Sequence, residues 1–281
     1  MGIWSGFGSL GLGDLDDTEL FEDKKEKEKA KAEPPKEEDF LIEKTVKCPV
    51  CDAESTQKIV KTGKAKLLST DRDLRPRHSY VDTVKYDVYK CDVCGYAALA
   101  KDFPHISEKQ GKMIREGISS RVVLRNSCGS IYTYEDAVER YKLALACAVV
   151  KKAKASEKAY ICLKSAWIFR TFAEEKEKAG EEALAKELRQ VEKDYLEKAF
   201  QGFNKSVVDE RFPICGMDEL TLDYLMTAVA FQLGNLDAAS RLVYRIFQNP
   251  NANNRVKDKA LLLKDDILAE VKRRKEEAKK E

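Results

Sequence analysis

The stretches Cys48-Pro-Val-Cys51 and Cys91-Asp-Val-Cys94 are two copies of one short turn, and they decide the fold of this part of the chain. Two residues between paired cysteines let both sulfurs face one ion, and two such turns supply the four soft ligands of a tetrahedral zinc ion. Residues 52–90 separate the turns, a spacing suited to a zinc ribbon with a long hairpin insertion. The sequence therefore predicts a structural zinc site formed by Cys48, Cys51, Cys91 and Cys94.

Two other uses of paired cysteines are a dithiol redox pair and a disulfide. A thioredoxin-type motif needs only one Cys-x-x-Cys turn in a βαβ context, which the surrounding sequence lacks. Short β-type runs occur between the turns instead, at Lys58-Ile-Val, Lys66-Leu-Leu and Tyr86-Asp-Val-Tyr. Gly95 follows the second turn, where the backbone often needs a positive φ. These features favour the ribbon.

Composition narrows the classes of protein that remain. The 281 residues are 43% hydrophobic, enough for a sizeable core, and 36% charged, which suits long helices with solvated faces. A formal net charge of +2 gives no global field that attracts nucleic acid. No apolar run reaches the roughly 18 to 20 residues of a membrane helix, and the acidic start lacks the pattern of a secretory signal. With scattered cysteines at 128, 147, 162 and 215, the sequence predicts a reducing, cytoplasmic compartment.

The N-terminal region differs in composition from the rest of the chain. Residues 22–38 are almost all charged and cannot bury enough apolar surface to fold, so they predict a disordered linker. Residues 1–21 are apolar, glycine-rich and acidic, without Lys or Arg. Two interpretations stay open: a terminus that covers the protein's own surface, or a docking peptide for a partner or a second copy. In the second, Trp4, Phe7 and Leu10 are the anchors.

The segment from Ser69 to Tyr80 is the one cluster within the ribbon insertion with charges suited to chemistry. Arg72, Arg75 and Arg77 are candidates for an anion- or phosphate-binding face, because guanidinium groups form paired hydrogen bonds with such groups. The alternative is a solvated tip with internal ion pairs. Catalysis is disfavoured, since four cysteines fill the zinc coordination sphere and leave no position for an activated water. The sequence thus predicts no catalytic residues.

From about residue 107 the hydrophobic pattern takes on the period of helices. The stripe Ala137, Tyr141, Ala144 and Ala148 is one example of a predicted buried face. Small polar or acidic residues mark the predicted helix starts. These starts are Ser107, Thr133 with Asp136, Ser156, Glu181, Asp218, Asn235 and Asn254.

The segment Leu233-Gly234-Asn235 has the character of the turn in a tetratricopeptide unit, where two antiparallel helices approach closely. No strict repeat period holds, and an ordinary helical bundle is the alternative. The predicted fold class is α+β, mostly α: a small β zinc ribbon followed by a tetratricopeptide-like antiparallel helical domain. The predicted regions are 1–39 (peptide and linker), 40–105 (ribbon) and 106–281 (helical domain).

Several motifs together give the chain a specific resemblance. They are Lys47-Cys-Pro-Val-Cys51, Thr62-Gly-Lys-Ala-Lys-Leu-Leu-Ser-Thr-Asp71, Tyr86-Asp-Val-Tyr-Lys-Cys91, Cys94-Gly-Tyr-Ala-Ala98, Tyr141-Lys-Leu-Ala-Leu and Lys151-Lys-Ala-Lys-Ala-Ser-Glu-Lys-Ala-Tyr160. With them the chain resembles the bacterial domain-of-unknown-function family 2225. The resemblance implies a cytosolic bacterial protein, and it implies no activity.

Three classes of function remain. The favoured one is a non-enzymatic, zinc-binding adaptor or scaffold that binds proteins through its helical domain and N-terminal peptide. The second is a nucleic-acid-binding ribbon of transcription or translation, although residues 40–103 hold twelve basic against nine acidic residues and lack a strong phosphate footprint. A steep fall of RNA or DNA affinity with salt would support it. The third is an enzyme that uses the arginine-rich loop, which a ligand-dependent melting shift would support.

Overall fold

The computed structural model describes residues 35–125, 129–250, 252 and 254–278. Within these, each Cys-x-x-Cys turn joins two antiparallel strands, and a third hairpin is inserted between the turns. The strands are β1 (Leu41–Lys47), β2 (Glu54–Val60), β3 (Leu67–Thr70), β4 (Pro76–His78), β5 (Val88–Lys90) and β6 (Ala97–Leu99). The predicted ribbon with a long hairpin insertion is therefore the observed topology of this part of the chain.

One predicted β run begins later than the sequence pattern indicated. Thr83–Tyr86 forms a 3₁₀ turn, and β5 begins only at Val88. The turn forms because the Asp82 carboxylate accepts a hydrogen bond from the Val84 amide at 3.1 Å, while the Tyr141 hydroxyl donates to the Val84 carbonyl at 2.9 Å. A side-chain cap and a distant helix thus override the local β propensity of Tyr86.

Seven α-helices follow in the described residues: α1 (Glu108–Ile114), α2 (Tyr134–Val150), α3 (Ala155–Lys178), α4 (Glu182–Asp209), α5 (Glu219–Gln232), α6 (Leu236–Gln248) and α7 (Asn254–Glu277). A π-helical turn, Arg115–Ser119, extends α1. The predicted caps Ser107, Thr133, Asp218 and Asn235 each accept a hydrogen bond from a backbone amide of the first turn. Local capping chemistry therefore fixes most of the helix starts.

The predicted start at Ser156 is one residue late. Helix α3 begins at Ala155, and Lys154 precedes it without a side-chain cap. The Ser156 amide and hydroxyl both donate to the carboxylate of Glu210, at 2.9 and 2.6 Å. The carboxylate of Glu210, just after α4, thus accepts the hydrogen bond from an amide in the first turn of α3. The sequence pattern had predicted Ser156 as the residue that begins this helix.

Strands β5 and β6 share a hydrophobic core with helices α2 to α5. Helix α2 packs on β5 and β6, and its residues Ala137, Tyr141, Ala144 and Ala148 are buried on one face, as the pattern predicted. The same cluster contains Cys48 and Cys91 of the two turns and continues into α3, α4 and α5. A second cluster holds α5, α6 and α7 together. The residues from Lys36 onward accordingly form one compact unit.

The hairpins α3–α4 and α5–α6 carry most of the helical packing. Gly234 adopts a φ of +74° in the turn between α5 and α6, which glycine allows without a steric cost. The described chain is thus α+β and mostly α, as predicted. No helix among the described residues is both long enough and apolar enough to cross a membrane. The predicted disorder of residues 1–39 falls largely outside the described residues, and the three predicted region boundaries stay predictions.

Gly202 marks the closest approach of α3 and α4. A Cβ at this position would lie 2.8 Å from the Cβ of Ala159 and 3.3 Å from its Cα. We expect Gly202→Val to lower the free energy of unfolding by about 1 to 3 kcal/mol, because overpacking forces the two helices apart. Gln201→Val, at an exposed neighbouring position, is the matched control in urea denaturation. Equal stability of the two variants would show that the helices have room to separate.

Candidate metal centre

The first Cys-x-x-Cys turn is closed by backbone hydrogen bonds. The Cys48 amide donates to the Ala53 carbonyl at 2.8 Å, and the Asp52 amide donates to the Cys48 carbonyl at 2.9 Å. Asp52 adopts a φ of +60°, a conformation that Asp tolerates better than most residues. The Val50 amide points at the Cys48 Sγ at 3.4 Å. The turn therefore holds its two cysteines on the same side and directs an N–H group at a sulfur.

The second turn repeats this geometry. The Cys91 amide donates to the Tyr96 carbonyl at 2.8 Å, and the Gly95 amide donates to the Cys91 carbonyl at 3.0 Å. Gly95 has a φ of +74°, as its position after the turn predicted. The Cys94 amide points at the Cys91 Sγ at 3.5 Å. The same arrangement in two different sequence contexts shows that each turn is built to present a pair of sulfurs.

The two turns bring their four sulfurs together. All four Sγ atoms of Cys48, Cys51, Cys91 and Cys94 lie within 4.8 Å of one another. The Cys48–Cys94 pair is 3.6 Å apart and the Cys51–Cys91 pair 3.5 Å apart. Zinc–sulfur bonds of about 2.3 Å in a tetrahedron place sulfurs about 3.8 Å apart. The donor set and its spacing therefore fit one tetrahedral, thiolate-bound metal ion. These are the four residues that the sequence predicted as ligands.

The pKa values of Cys48, Cys91 and Cys94 depend on one another. The pKa of Cys91 lies far below its usual value, chiefly because Cys48 and then Cys94 donate hydrogen bonds to its sulfur. The bond to Cys91 raises the pKa of Cys48 to about 12, and the pKa of Cys94 is raised through its bond to Cys48. Without a cation these three sulfurs thus favour a single thiolate, whereas four thiolates in this space need a positive ion.

Polar residues of β2 support the second turn, and the sequence analysis missed them. The Ser55 hydroxyl lies 3.8 Å from the Cys91 Sγ and accepts a hydrogen bond from the Asp92 amide at 3.1 Å. The buried Gln57 side chain exchanges two hydrogen bonds with the Lys90 backbone, at 2.8 and 3.1 Å. Ser55 and Gln57 alternate along β2 on its buried face. Their period of two is the signal that could have revealed them.

Helical residues fix the turns from the other side. The Arg115 guanidinium donates to the Val50 carbonyl at 2.9 Å, and Arg140 donates to the Val88 carbonyl and to Gln57. The Cys147 sulfur of α2 accepts from the Ala97 amide at 3.4 Å. Burial raises the pKa of Cys147 to about 11, and its sulfur is not part of the four-cysteine cluster. Cys147 is therefore a buried thiol beside the site and outside its ligand set.

The three arginines predicted as an anion-binding face are each paired with a carboxylate. Arg72 contacts Asp266 of α7. Arg75 is buried, with its Nη2 3.0 Å from Asp82, while its Nε and Nη1 have no partner among the described residues. Arg77 is the third. Its guanidinium binds both oxygens of Glu174 at 2.6 and 2.7 Å, and its Nε donates to Asp71. The alternative interpretation expected ion pairs, but two of these carboxylates belong to distant helices and Arg75 is buried, so the segment is not a solvated tip. The anion-binding hypothesis stays a prediction.

Asp73 is the centre of a buried polar cluster that joins the β3–β4 turn to the helices. Its carboxylate accepts hydrogen bonds from Arg170 at 2.6 and 3.0 Å and from the Trp167 indole at 2.9 Å. Arg170 also donates to Glu192 at 2.6 Å and to Gln232 at 3.0 Å. One arginine thus connects the ribbon insertion with α3, α4 and α5. The insertion is anchored through these buried charges.

The carboxylates that bind Arg77 give the fold an acid-sensitive contact. Burial raises the pKa of both Asp71 and Glu174, but the hydrogen bonds from Arg77 outweigh it, and both pKa values are lowered. Groups with a lowered pKa stabilise the fold above their unfolded-state pKa of about 4, and this contribution is lost as the pH falls through the lowered values.

We therefore expect Arg77→Met to destabilise the protein at pH 7 and to do so progressively less below about pH 4. Urea denaturation of both proteins across this range measures the difference in the free energy of unfolding. Arg121→Met, at an exposed position, is the control. A difference that stays constant with pH would show that the carboxylates are not coupled to Arg77.

The predicted partner anchors Trp4, Phe7 and Leu10 lie outside the described residues.

Comparison with known proteins gives one family. Residues 41–267 match the family model described as "Uncharacterized protein conserved in bacteria (DUF2225)". No curated protein and no solved structure matches the chain. The matched region contains both cysteine turns and all the described helices except the end of α7, and the chain therefore belongs to the DUF2225 family of bacterial proteins.

Proposed function

We propose that this chain is a non-enzymatic adaptor whose four cysteines hold a structural zinc ion and whose helical domain and N-terminal peptide bind proteins. The observation that carries the proposal is the four-sulfur cluster. Its sulfurs come from two matched turns, and three of its four cysteines are buried in the core that the helices share. Such a site supports the packing of the ribbon on α2.

Zinc is the ion that this donor set favours. Four thiolates in a tetrahedron are typical of structural zinc sites, and iron is the other metal with a strong preference for such a set. The amides of Val50 and Cys94 direct their N–H groups at sulfurs, which offsets the negative charge of the bound thiolates. Iron–thiolate sites absorb visible light whereas zinc sites do not, and the two metals differ in mass, so the metal content of the purified protein separates them.

A structural role suits this site better than a catalytic one. Catalytic zinc sites keep one position open for water, whereas four cysteines complete the sphere. The two histidines, His78 and His105, are not members of the cysteine cluster. His78 instead lies 3.2 Å from the Thr83 hydroxyl. The cluster thus has no histidine beside it that could move a proton, which supports a non-enzymatic role.

The adaptor role rests on the helices. Hairpins of antiparallel helices present broad surfaces to protein partners. Helix α7 leaves Leu261, Leu262 and Leu268 exposed, and Tyr244 of α6 is exposed as well. Apolar side chains in such number on neighbouring helices are more typical of a protein-binding surface than of a solvated one. Residues 1–21 include Trp4 and Phe7, and aromatic side chains often anchor protein interfaces, so this segment is also suited to binding a partner.

Affinity purification of the tagged full chain from its bacterium tests the proposal. A partner recovered in this way is then purified and its Kd measured. We expect the double variant Trp4→Ala, Phe7→Ala to weaken binding about 30-fold, the size of an aromatic hot spot. The double variant Ser5→Ala, Ser9→Ala in the same segment is the control. If the aromatic variant retains the same partners and the same elution volume, the N-terminal peptide does not dock. If no variant recovers a partner, the adaptor role fails.

A further inference from the structure

Strand β3 has a free edge and no buried residue. In the described residues it pairs only with β4, in a two-stranded sheet, and all four of its residues are exposed. Leu67 is 54% exposed and Leu68 63% exposed. The pairing with β4 is irregular between Leu67 and Ser69. Exposed apolar residues on an unpaired strand edge invite another strand, and proteins usually cover or charge such edges.

The segment that leads into β3 carries charged side chains of one sign only. Residues 55–70 contain four lysines and no acidic residue. Lys61 donates to the Asp39 carbonyl at 2.8 Å, and Lys58 lies over the ring of Tyr132 at 4.8 Å. Lys64 and Lys66 are exposed and form no ion pair with any described residue. Two cations without partners therefore lie just before the exposed leucines.

An aromatic pair borders the same strand. Tyr80 is 56% exposed and stacks on Phe40, with ring centroids 5.6 Å apart. The Ser79 amide donates to the Lys66 carbonyl at 2.9 Å, which places Tyr80 beside the start of β3. The surface thus combines a strand edge, two leucines, an exposed aromatic ring and two unpaired cations. We name Lys64, Lys66, Leu67, Leu68 and Tyr80 the β3 edge surface.

We infer that the β3 edge surface binds an acidic and apolar peptide segment of a partner protein, in extended conformation. Backbone hydrogen bonds to β3 would supply affinity, as in other cases of strand addition. Apolar side chains of the peptide would cover Leu67 and Leu68, and its carboxylates would pair with Lys64 and Lys66. The inference rests on the proposed adaptor function, because it names the chemistry of one partner segment and the surface that receives it.

A nucleic acid suits this surface less well than an acidic peptide. Both are attracted by Lys64 and Lys66, but two exposed leucines have no counterpart in a phosphate backbone. The ring of Tyr80 already stacks on Phe40, so one of its faces is covered by protein. A peptide with alternating acidic and apolar residues satisfies the lysines and the leucines together. Charge complementarity and apolar contact therefore both favour the peptide.

The test uses the full chain and a synthetic ten-residue peptide that alternates Asp with Leu or Val, labelled for fluorescence anisotropy. We expect saturable binding that Lys64→Glu with Lys66→Glu weakens at least about 10-fold, because like charges then face each other. Lys142→Glu with Lys186→Glu, at exposed positions of α2 and α4, is the matched control. Thermal melting of both variants checks that they are folded. Hydrogen exchange should show new protection of β3 amides in the complex.

Three results would overturn the inference. In the first, the peptide does not bind, or binds equally to the Lys64 and Lys66 variant. In the second, a single-stranded oligonucleotide binds more tightly than the peptide and loses its affinity in the same variant, which would assign the surface to nucleic acid. In the third, the wild-type chain is a dimer that this variant dissociates, which would assign the edge to a second copy.

Failure of this inference and failure of the proposed function can be told apart. If a partner purified with the full chain still binds the variant of Lys64 and Lys66 while the peptide does not bind, the adaptor role stands and the β3 edge is not its site. If the peptide binds as expected and no partner is recovered from the bacterium, the edge binds peptides of this chemistry and the wider adaptor role lacks support.

Discussion

Replacing Cys91 by Ser is expected to abolish metal binding and to unfold the ribbon. Cys91 is fully buried, and its sulfur lies 3.5 Å from that of Cys51. Structural zinc contributes on the order of 10 kcal/mol to the folding of small domains, and three remaining thiols do not replace a four-ligand site. The helices α3 to α7 pack on one another chiefly through the α3–α4 and α5–α6 hairpins, apart from the cysteine turns. Most of the far-ultraviolet helical signal should therefore remain, while amides of residues 41–103 lose protection from hydrogen exchange.

Cys162→Ser is the matched control for this variant. Cys162 is also buried, lies in α3 and is not part of the cysteine cluster. Its free energy of unfolding should fall only slightly, because one buried thiol is exchanged for a hydroxyl, and it should keep its metal. A Cys91→Ser protein that retains both its metal and its exchange protection would contradict the assignment of Cys91 as a ligand. If the Cys162→Ser protein also loses its metal, loss of metal in Cys91→Ser does not identify Cys91 as a ligand.

Asp73→Ala is expected to lower the free energy of unfolding by about 3 to 5 kcal/mol, because removal of one partner of a buried ion pair leaves the charge of Arg170 compensated only in part, by Glu192 and Asp71. Asp73 is fully buried and accepts hydrogen bonds from Arg170 and Trp167. Glu276→Ala, which removes the partner of Lys272 in an exposed pair on α7, should change stability by less than about 0.5 kcal/mol.

Urea denaturation measures both changes in stability. If Asp73→Ala costs less than about 1 kcal/mol, the cluster around Arg170 is not the anchor of the ribbon insertion. Substituting Arg170 as well provides a further check. The double variant Asp73→Ala, Arg170→Met should recover part of the lost stability, since the charge of Arg170 is then removed as well and Glu192 keeps its ion pair with Arg189. If the double variant is less stable than Asp73→Ala, Arg170 stabilises the fold mainly through its contacts with Glu192 and Gln232.

Local chemistry is what the sequence predicted well. The two Cys-x-x-Cys turns, the positive φ of Gly95 and the helix caps depend on residues within about five positions of each other, so a pattern reveals them. Spacing alone predicts the four cysteines as ligands, and the structure brings their sulfurs together. The fold class followed from the change of hydrophobic period near residue 107.

Contacts between distant segments are what the sequence did not predict. The carboxylates that pair with Arg72 and Arg77 are Asp266 and Glu174, each in a helix far along the chain. Nothing in the pattern around Arg77 indicates such a partner, so the sequence alone leaves open whether these arginines face an anion or pair with carboxylates. Glu210 is a second example: it follows α4 in the sequence, yet it accepts hydrogen bonds from Ser156 at the start of α3. Polar residues take their partners from tertiary packing, which periodicity does not describe.

The metal content of the purified full chain tests the central claim most directly. Native mass spectrometry of protein purified without chelator, together with elemental analysis, measures the identity and the number of bound metal ions. We predict one zinc ion per chain, lost in the Cys91→Ser variant and kept in the Cys162→Ser variant. A folded wild-type protein that carries no stoichiometric metal, or that carries iron in place of zinc, would contradict the assignment of a structural zinc centre to Cys48, Cys51, Cys91 and Cys94.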